Sequence, residues 1–241
     1  MNIDIASKDE RYFYLCELLK DNGYYSRIVS PSEVASPDVI ILPIKREHSE
    51  NELFEISRNT SSKTKVLFGG DEATMKIFKN NLIDYSKNEY FLSDNAQITA
   101  EAFLKIWQDT TMSSLRDKKI LISGYGRIGK HLAKILSGLG AEIYVYARRE
   151  EVKNKIKIDG FYSVNLDFAK EVDAVINTVP AVIFSSELIS QIPRGTYLFE
   201  LASVSGFEKT ERVNFALGLP GKILPKTAAE AIYKAIISFL D

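Results

Sequence analysis

Cysteine and long apolar runs are what this 241-residue sequence has least of. Its one cysteine, Cys16, cannot form an internal disulfide, which is typical of a protein from a reducing compartment. Cys16 stands in an apolar segment, so we expect a buried, unreactive thiol. The chain has no apolar run of about 18 residues, and its N-terminus lacks a basic segment followed by an apolar one. No membrane-spanning helix and no signal peptide are therefore predicted, and the expected location is the cytoplasm.

Neither sign of charge dominates, because 31 basic residues face 32 acidic ones and the net charge is −1. A chain of balanced charge is a poor non-specific binder of polyanions, so we predict neither a nucleic-acid nor a membrane partner. Histidine is scarce as well. We interpret His48 as a solvated loop residue and His131 as a helix residue, and neither stands where a 2-hydroxyacid dehydrogenase places its catalytic histidine. No metal-ligand spacing is present, and the catalytic residues stay unassigned.

What the sequence does have is a regular alternation of short β-branched runs and helical stretches of roughly ten residues, which is typical of parallel βαβ units. We predict an α/β fold with two doubly wound domains. A smaller, flavodoxin-like α/β domain for substrate or partner would occupy 1–95, and a Rossmann dinucleotide-binding domain would occupy 114–224. A helix over 96–113 and a C-terminal helix over 227–241 would join them. The cleft between two such domains is the default place for an active site.

Capping patterns set the expected starts of both joining helices. Asp94 with Gln97, and Thr227 with Glu230, each combine a short polar side chain with a Glu or Gln three residues later, which is the pattern of a capping box. We also predict a shorter helix in the first domain, from Glu72 to about Lys79.

The strongest motif is G-x-G-x-x-G, which begins at Gly124 directly after the apolar segment Lys119–Ser123 and opens an amphipathic helix. In a Rossmann unit Gly124 makes the tight turn, Gly126 lets a pyrophosphate approach the backbone, and Gly129 allows close packing of helix on strand. The helix N-terminus offers unpaired N–H groups to the phosphates. The alternative is a Rossmann-like domain that has lost its cofactor. The cofactor-binding residues predicted in this motif are Gly124, Tyr125, Gly126, Arg127, Ile128 and Gly129.

The end of the next strand indicates which nicotinamide cofactor binds. An NAD site has an Asp or Glu about 20 residues after the first glycines, where it accepts a hydrogen bond from the ribose 2′-hydroxyl. This sequence has Ala147-Arg148-Arg149 there, and guanidinium groups bind a 2′-phosphate. We therefore predict NADP, with NAD as the second choice. The alternative is that both arginines are solvated at the start of a helix and pair with Glu150 or Glu151.

Two further strand ends are expected to meet the cofactor at the same edge of the sheet. Asn177-Thr178-Val179-Pro180 closes one predicted strand, and Glu200-Leu201-Ala202-Ser203 lies at the end of another. We predict that these residues contact the nicotinamide end of the cofactor. The alternative for the first of them is a plain strand stop at Pro180.

Together with Gly218-Leu-Pro-Gly221 and Pro225-Lys226-Thr227, these motifs resemble those of the dipicolinate synthase A family. That family shows GLGRxG after an apolar strand, a strand ending in AR, an INTIP segment, a DLAS segment and a GLPGxxAPKTAG segment, in this order. The likeness covers the second half of the chain almost throughout. It is thinner in the first half, where Asp38–Pro43 and Phe68–Gly70 match and where Ser7-Lys8 replaces the glycine pair that precedes the family's Asp.

The resemblance implies an NAD(P)-dependent oxidoreductase subunit that works with a second, flavoprotein-like subunit. The pair would convert a hydroxylated tetrahydrodipicolinate into pyridine-2,6-dicarboxylate, with loss of water and oxidation, for use in bacterial spores. We expect this small dicarboxylate to meet Gly221, Lys226 and Thr227, because a lysine and a helix N-terminus favour anions. A solvated Lys226 and a Thr227 that only caps its helix are the alternatives, and a homo-oligomer is also expected. The competing hypotheses are another NADP-linked dehydrogenase, of hydroxyacid or methylenetetrahydrofolate dehydrogenase type, and a non-catalytic nucleotide-binding subunit.

Overall fold

The computed structural model describes residues 1–78 and 81–240. Lys79 and Asp241, the expected ends of two helices, lie outside the described residues. The chain divides into two compact units. The first combines Met1–Asn95 with the segment from Pro220 onwards, and the second is Ala96–Leu219.

Strands and helices alternate along both units. Over the described residues the strands are β1 (Asn2–Ile5), β2 (Tyr25–Ile28), β3 (Val39–Ile41), β4 (Lys65–Phe68), β5 (Leu82–Asp84), β6 (Lys119–Ser123), β7 (Glu142–Tyr146), β8 (Tyr162–Val164), β9 (Ala174–Asn177), β10 (Tyr197–Glu200) and β11 (Val213–Phe215). The α-helices are α1 (Glu10–Asp21), α2 (Glu50–Arg58), α3 (Glu72–Ile77), α4 (Glu89–Thr111), α5 (Arg127–Gly138), α6 (Glu150–Ile158), α7 (Ser186–Gln191), α8 (Leu219–Ile223) and α9 (Pro225–Ile236).

The sheet of the first unit has the strand order β2-β1-β3-β4-β5, and every pair in it is parallel. This is the order of a flavodoxin-like doubly wound sheet. Strand β3 lies at its centre, and all three residues of β3 are buried, as a strand covered on both faces requires. Strand β5 lies at the edge of the sheet.

The sheet of the second unit has the order β11-β10-β9-β6-β7-β8, again with every pair parallel. Counted within the unit, this is the Rossmann order, whose direction reverses between β6 and β9. Ligands of such sheets bind outside the carboxyl ends of the strands at this reversal. The predicted fold class, two doubly wound α/β domains of which one is a Rossmann domain, is confirmed.

Helix α4 begins earlier than the capping pattern predicts. The side chain of Asn88 accepts hydrogen bonds from the N–H groups of Tyr90 (2.9 Å) and Phe91 (3.2 Å), so Asn88 supplies the cap at Glu89. The predicted capping box is therefore wrong, because Asp94 and Gln97 lie inside the helix. Gln97 instead donates to the Glu101 carboxylate one turn later.

The last helix also begins earlier than predicted. Helix α9 starts at Pro225, whose fixed φ suits the first helical position. Leu224 is its N-cap and provides no side-chain hydrogen bond. Thr227 is thus the third helical residue, with an exposed side chain, and the predicted capping box of Thr227 with Glu230 is wrong.

This correction leads to a stability prediction. Thr227→Ala is expected to change the free energy of unfolding by less than about 0.5 kcal/mol, because the side chain is exposed and caps nothing. Ser49→Ala is the matched comparison, since Ser49 caps α2 and accepts a hydrogen bond from the N–H of Glu52. We expect that variant to lose about 1 kcal/mol in chemical denaturation. A larger loss from Thr227→Ala than from Ser49→Ala would contradict this assignment of the caps.

His48 is buried, so its interpretation as a solvated loop residue is wrong. Its Nε2 lies 2.8 Å from the carbonyl oxygen of Ala6, where β1 ends. The hydrogen bond compensates for burying the imidazole. Cys16 is buried as predicted, with its Sγ 3.5 Å from the Ser26 hydroxyl. Among the described helices, none combines the length and the apolar composition that crossing a bilayer requires.

Candidate dinucleotide site

The glycine loop that follows β6 turns tightly at Gly124. This residue has φ +95°, in the left-handed region that favours glycine. A Cβ there would lie 2.7 Å from Thr178 Oγ1 and 2.9 Å from Val179 Cγ2. The N–H of Gly124 donates to the carbonyl of Tyr146, at the end of β7 (2.9 Å). The turn is therefore held against the ends of both neighbouring strands, and only glycine fits it.

The other two glycines of the motif have opposite surroundings. A Cβ on Gly129 would overlap the carbonyl oxygen of Gly124, so α5 packs directly on the loop at this point. Gly126 is exposed, and a Cβ there would meet nothing within 4 Å. Gly126 is also the N-cap of α5 and provides no side chain to satisfy the first N–H groups of that helix. The space above Gly126, beside a helix N-terminus, fits the pyrophosphate of a dinucleotide.

A pocket of about 500 Å³ opens at this edge of the sheet. It spans the glycine loop, the end of β7 and the turn after β9. Among the described residues that line it, two carry guanidinium groups and none carries a carboxylate. These lining residues are Gly124, Tyr125, Gly126, Tyr146, Ala147, Arg148, Arg149, Val152, Val179 and Ile183.

The two arginines of the pocket have different partners. Both are exposed, and Arg149 Nη1 lies 2.9 Å from Glu151 Oε1, with both side chains more than 70% exposed. The alternative interpretation, that the arginines pair with an acidic residue at the start of α6, therefore holds for Arg149. Arg148 makes no ion pair with any described residue. An exposed pair is worth at most about 1 kcal/mol, so an arriving phosphate can replace Glu151 without a large loss.

Tyr125 lines the pocket, and its side chain is held by neighbouring residues. Its side chain is buried, donates a hydrogen bond to Asp159 Oδ2 (2.8 Å) and packs edge-on against Phe161. Lys130 lies over its ring. Burial raises the pKa of the Tyr125 phenol, and the hydrogen bond to Asp159 raises it further. Tyr125 therefore fixes the loop against the turn after α6 and stays protonated over the physiological pH range.

The remaining predicted residues of the motif lie in the first turn of α5. Arg127 is exposed, and Ile128 is partly buried.

Asn177, at the end of β9, is fully buried. Its Oδ1 accepts hydrogen bonds from the Ser123 hydroxyl (2.6 Å) and the N–H of Val179 (3.1 Å). Its Nδ2 donates to the carboxylate of Glu200 at 2.8 and 3.1 Å. The amide is thus engaged within the protein, and Val179 is what this strand end presents to the pocket. Thr178 donates to the carbonyl of Ser123 (2.8 Å), and Pro180 is exposed.

Glu200, predicted with Leu201 and Ala202 to contact the cofactor, is a buried carboxylate at the end of β10. Besides Asn177, it accepts hydrogen bonds from the N–H groups of Ala202 (2.9 Å) and Gly206 (2.6 Å). It therefore ties the segment after β10 to the end of β9. Leu201 and Ala202, predicted to contact the cofactor, are mostly buried in this segment. The sequence signal for this buried carboxylate is an acidic residue at the end of an apolar strand, directly after Tyr197-Leu-Phe.

The residues predicted to bind substrate lie in the first unit, and none of them lines this pocket. Lys226 and Thr227 are exposed in the first turn of α9. Gly221 lies in α8, where a Cβ would approach the guanidinium of Arg11 to 2.7 Å. Among the described residues, no group of three or more His, Cys, Asp or Glu side chains could hold a metal ion.

Comparison with known proteins agrees with this geometry. Residues 91–202 match the family model of the D-isomer specific 2-hydroxyacid dehydrogenase, NAD binding domain. Dipicolinate synthase A of Bacillus subtilis (strain 168), one subunit of that enzyme, is 27% identical over 173 residues, which is 67% of this chain and 58% of that protein. The chain resembles dipicolinate synthase A. The predicted resemblance is thus confirmed, and a nicotinamide-dinucleotide domain of dehydrogenase type is supported.

Two solved structures of dipicolinate synthase have the same fold over nearly the whole chain. Dipicolinate synthase A from Bacillus halodurans has a TM-score of 0.82 at 21% identity, covering 99% of this chain and 97% of that one. The corresponding structure from Bacillus subtilis has a TM-score of 0.81 at 20% identity, covering 100% and 95%. The shared fold therefore includes the first unit, where the sequence motifs are thinner.

Proposed function

We propose that this chain is the NADP-binding oxidoreductase subunit of an enzyme that forms pyridine-2,6-dicarboxylate. The observation that supports dinucleotide binding is the open space above Gly126, at the N-terminus of α5, next to a pocket lined by Arg148 and Arg149. The resemblance to dipicolinate synthase A supports the reaction. The predicted dinucleotide-binding domain, 114–224, would hold the cofactor, and the predicted N-terminal domain, 1–95, would serve substrate or partner.

Each predicted cofactor residue has a distinct task in this proposal. The backbone of 124–129 and the first N–H groups of α5 bind the pyrophosphate. Arg148 and Arg149 bind the 2′-phosphate, Ala147 leaves room for the ribose, and Val179 contacts the nicotinamide end. When bound, the oxidised cofactor accepts a hydride. Asn177, Thr178 and the segment at Leu201 and Ala202 hold the strand ends in place for it.

The substrate would be a hydroxylated tetrahydrodipicolinate. Loss of water followed by transfer of a hydride and release of a proton gives the aromatic dicarboxylate, so aromatisation supplies much of the driving force. Gly221, Lys226 and Thr227 remain our proposed substrate segment. We further propose a flavoprotein-like second subunit, assembly as a homo-oligomer, and a product that supplies sporulation.

The decisive experiment follows dipicolinate formation by its ultraviolet absorbance. The purified chain is supplied with NADP or NAD and with a system that forms hydroxylated tetrahydrodipicolinate, alone and with the flavoprotein-like subunit. We expect dipicolinate to accumulate, with reduced cofactor in equal amount, only when this chain is present. Because the family model is that of 2-hydroxyacid dehydrogenases, small 2-hydroxy acids are tested in parallel. Turnover of those acids without dipicolinate formation would overturn the proposed reaction.

The choice of cofactor gives a second prediction. The double variant Arg148→Ala and Arg149→Ala is expected to weaken NADP binding at least tenfold and to leave NAD binding nearly unchanged. The physical reason is that a charge-assisted hydrogen bond contributes about 1.5–3 kcal/mol, and only NADP has the 2′-phosphate. Calorimetric titration of both cofactors measures the difference. Lys153→Ala, at a half-buried lysine of α6 outside the lining of the pocket, is the control for a general loss of positive charge. Equal losses for NADP and NAD, or tighter wild-type binding of NAD, would refute the assignment.

A further inference from the structure

We propose that Arg11, held in place by Asp9, is the group of the first unit that binds a carboxylate of the substrate. This inference rests on the proposed function, because it assigns a site for the dicarboxylate. The residues that carry it, Asp9, Arg11, Tyr12, Lys45 and Gly221, all belong to the first unit. No sequence motif assigned a role to Arg11.

The side chain of Arg11 turns back over the start of its own helix. Asp9 is the N-cap of α1, and its Oδ1 accepts from both the backbone N–H (3.0 Å) and the Nε (2.9 Å) of Arg11. Its Oδ2 accepts from Nη2 at 2.6 Å. Ser7 holds the backbone of Asp9 in turn, since its hydroxyl accepts from the backbone N–H of Asp9 (3.1 Å). Two parallel hydrogen bonds fix the plane of the guanidinium as well as its position.

Asp9 and Arg11, which form the clamp, both stay charged at neutral pH. Burial raises the pKa of the Asp9 carboxyl, but the hydrogen bonds and charge of Arg11, with the nearby charge of Lys45, lower it more. The pKa of Asp9 is therefore below its ordinary value, and Asp9 is ionised at neutral pH. Arg11 balances the negative charge of Asp9, so the pair is neutral as a whole and Lys45 is a further positive charge near it. The nearby carboxylate of Glu47 accepts hydrogen bonds from the hydroxyl of Ser7 and from the backbone N–H of Lys8.

What remains of Arg11 suits a carboxylate. The side chain is only 11% exposed and lies over the ring of Tyr12, 5.9 Å from its centroid. Nε and Nη2 bind Asp9, whereas Nη1 has no hydrogen-bond partner among the described residues. A guanidinium already fixed on one edge loses little entropy when it binds a ligand on the other. Because the site is partly desolvated, such a bond is stronger than one at an exposed arginine.

Gly221 explains how the helix α8 comes so close to this group. A Cβ at this position would lie 2.7 Å from Arg11 Nε and 3.0 Å from Cζ, so any other residue would push the guanidinium aside. The task of Gly221 in substrate binding is then to leave room for Arg11. Helix α9, with Lys226 in its first turn, begins just after α8 and packs against α1. The segment singled out by its sequence and the clamped arginine therefore belong to one part of the first unit.

The test measures binding of pyridine-2,6-dicarboxylate and of pyridine-2-carboxylate to the full chain by calorimetry, with NADP present. Arg11→Gln is expected to weaken binding of the dicarboxylate at least tenfold and to reduce its advantage over the monocarboxylate. Gly221→Ala should do the same, and because alanine favours a helix and the displaced atoms end a flexible side chain, it should fold normally. The control is Arg27→Gln, since Arg27 is also paired with an aspartate, Asp4, but is 44% exposed. It should stay within twofold of wild type, as should NADP affinity in every variant.

The possible failures are distinct. If wild type binds the dicarboxylate and both Arg11→Gln and Gly221→Ala bind it equally well, Arg11 is not its site, and the proposed function stands. If Arg27→Gln weakens binding as much as Arg11→Gln, the effect is one of general charge or stability, and the site is again wrong. If wild type binds neither acid at millimolar concentration, the proposed substrate and this site fall together. Melting curves show whether each variant is folded. If Arg11→Gln is misfolded, the binding result for Gly221→Ala decides whether Arg11 is the site.

Discussion

Gly126→Val is expected to leave the second unit folded and to abolish dinucleotide binding. Gly126 has an extended conformation, with φ −79° and ψ −162°, that valine also adopts, and a Cβ there meets open space. The protein itself therefore has no reason to require glycine at this position. The valine side chain would fill the space where the pyrophosphate has to approach the N–H groups of α5. Calorimetry with NADP and NAD should show no binding, while the melting temperature stays within a few degrees of wild type.

Gly129→Ala is the contrasting control, because its methyl group would overlap the carbonyl oxygen of Gly124. Helix α5 would have to move away from the loop, and we expect a loss of roughly 1–3 kcal/mol or more of stability. Binding would then be weakened together with the stability of the fold. If Gly126→Val binds NADP and NAD as wild type does, the glycine loop is not a dinucleotide site. If it is destabilised as much as Gly129→Ala, the requirement for glycine is structural.

The Rossmann unit is the part of this chain that its sequence predicts best. Strand β6 coincides with the apolar segment Lys119–Ser123, and helix α5 opens within the glycine motif as predicted, because an apolar run and a glycine boundary are local signals. The roles of Gly124 and Gly129 were also predictable. The turn and the close helix packing follow from the spacing of the motif itself.

The errors concern choices that local sequence leaves open. Asp94 and Thr227 both have capping chemistry, but Asn88 and Pro225 a few residues earlier start the helices instead. A cap is used only where the chain enters the helix, and tertiary packing decides that point. His48 is buried because its partner, the carbonyl of Ala6, lies 42 residues away in the sequence.

The same limit applies to the candidate site. Arg148 and Arg149 could be proposed as phosphate ligands from the strand end alone, since the position after β7 in a Rossmann unit has a known use. Arg11 could not, because its proposed role depends on Asp9 on one side and Gly221, far along the chain, on the other. Pairing across such distances is visible only in the fold.

Glu200→Gln is expected to be the most destabilising conservative change in the second unit. The Glu200 carboxylate accepts from the side-chain amide of Asn177 and from the N–H groups of Ala202 and Gly206, all within the buried interior. A carboxylate can accept at both oxygens, whereas a glutamine would direct an NH₂ group at one of these donors. An unsatisfied buried donor, together with the weaker bonds that remain, should cost about 3 kcal/mol.

For a chain of this size that loss corresponds to a fall in melting temperature of roughly 6–12 °C. Glu208→Gln is the matched control. Glu208 also accepts two hydrogen bonds, from the N–H and hydroxyl of Ser186, but its carboxylate is exposed, so water can replace what glutamine loses. We expect the stability of that variant to stay close to that of wild type. Since Glu200 anchors the ends of β9 and β10, its loss should also weaken NADP binding, whereas Glu208→Gln should bind NADP as wild type does. Equal stability of the two variants would mean that the buried carboxylate is not what holds these strand ends together.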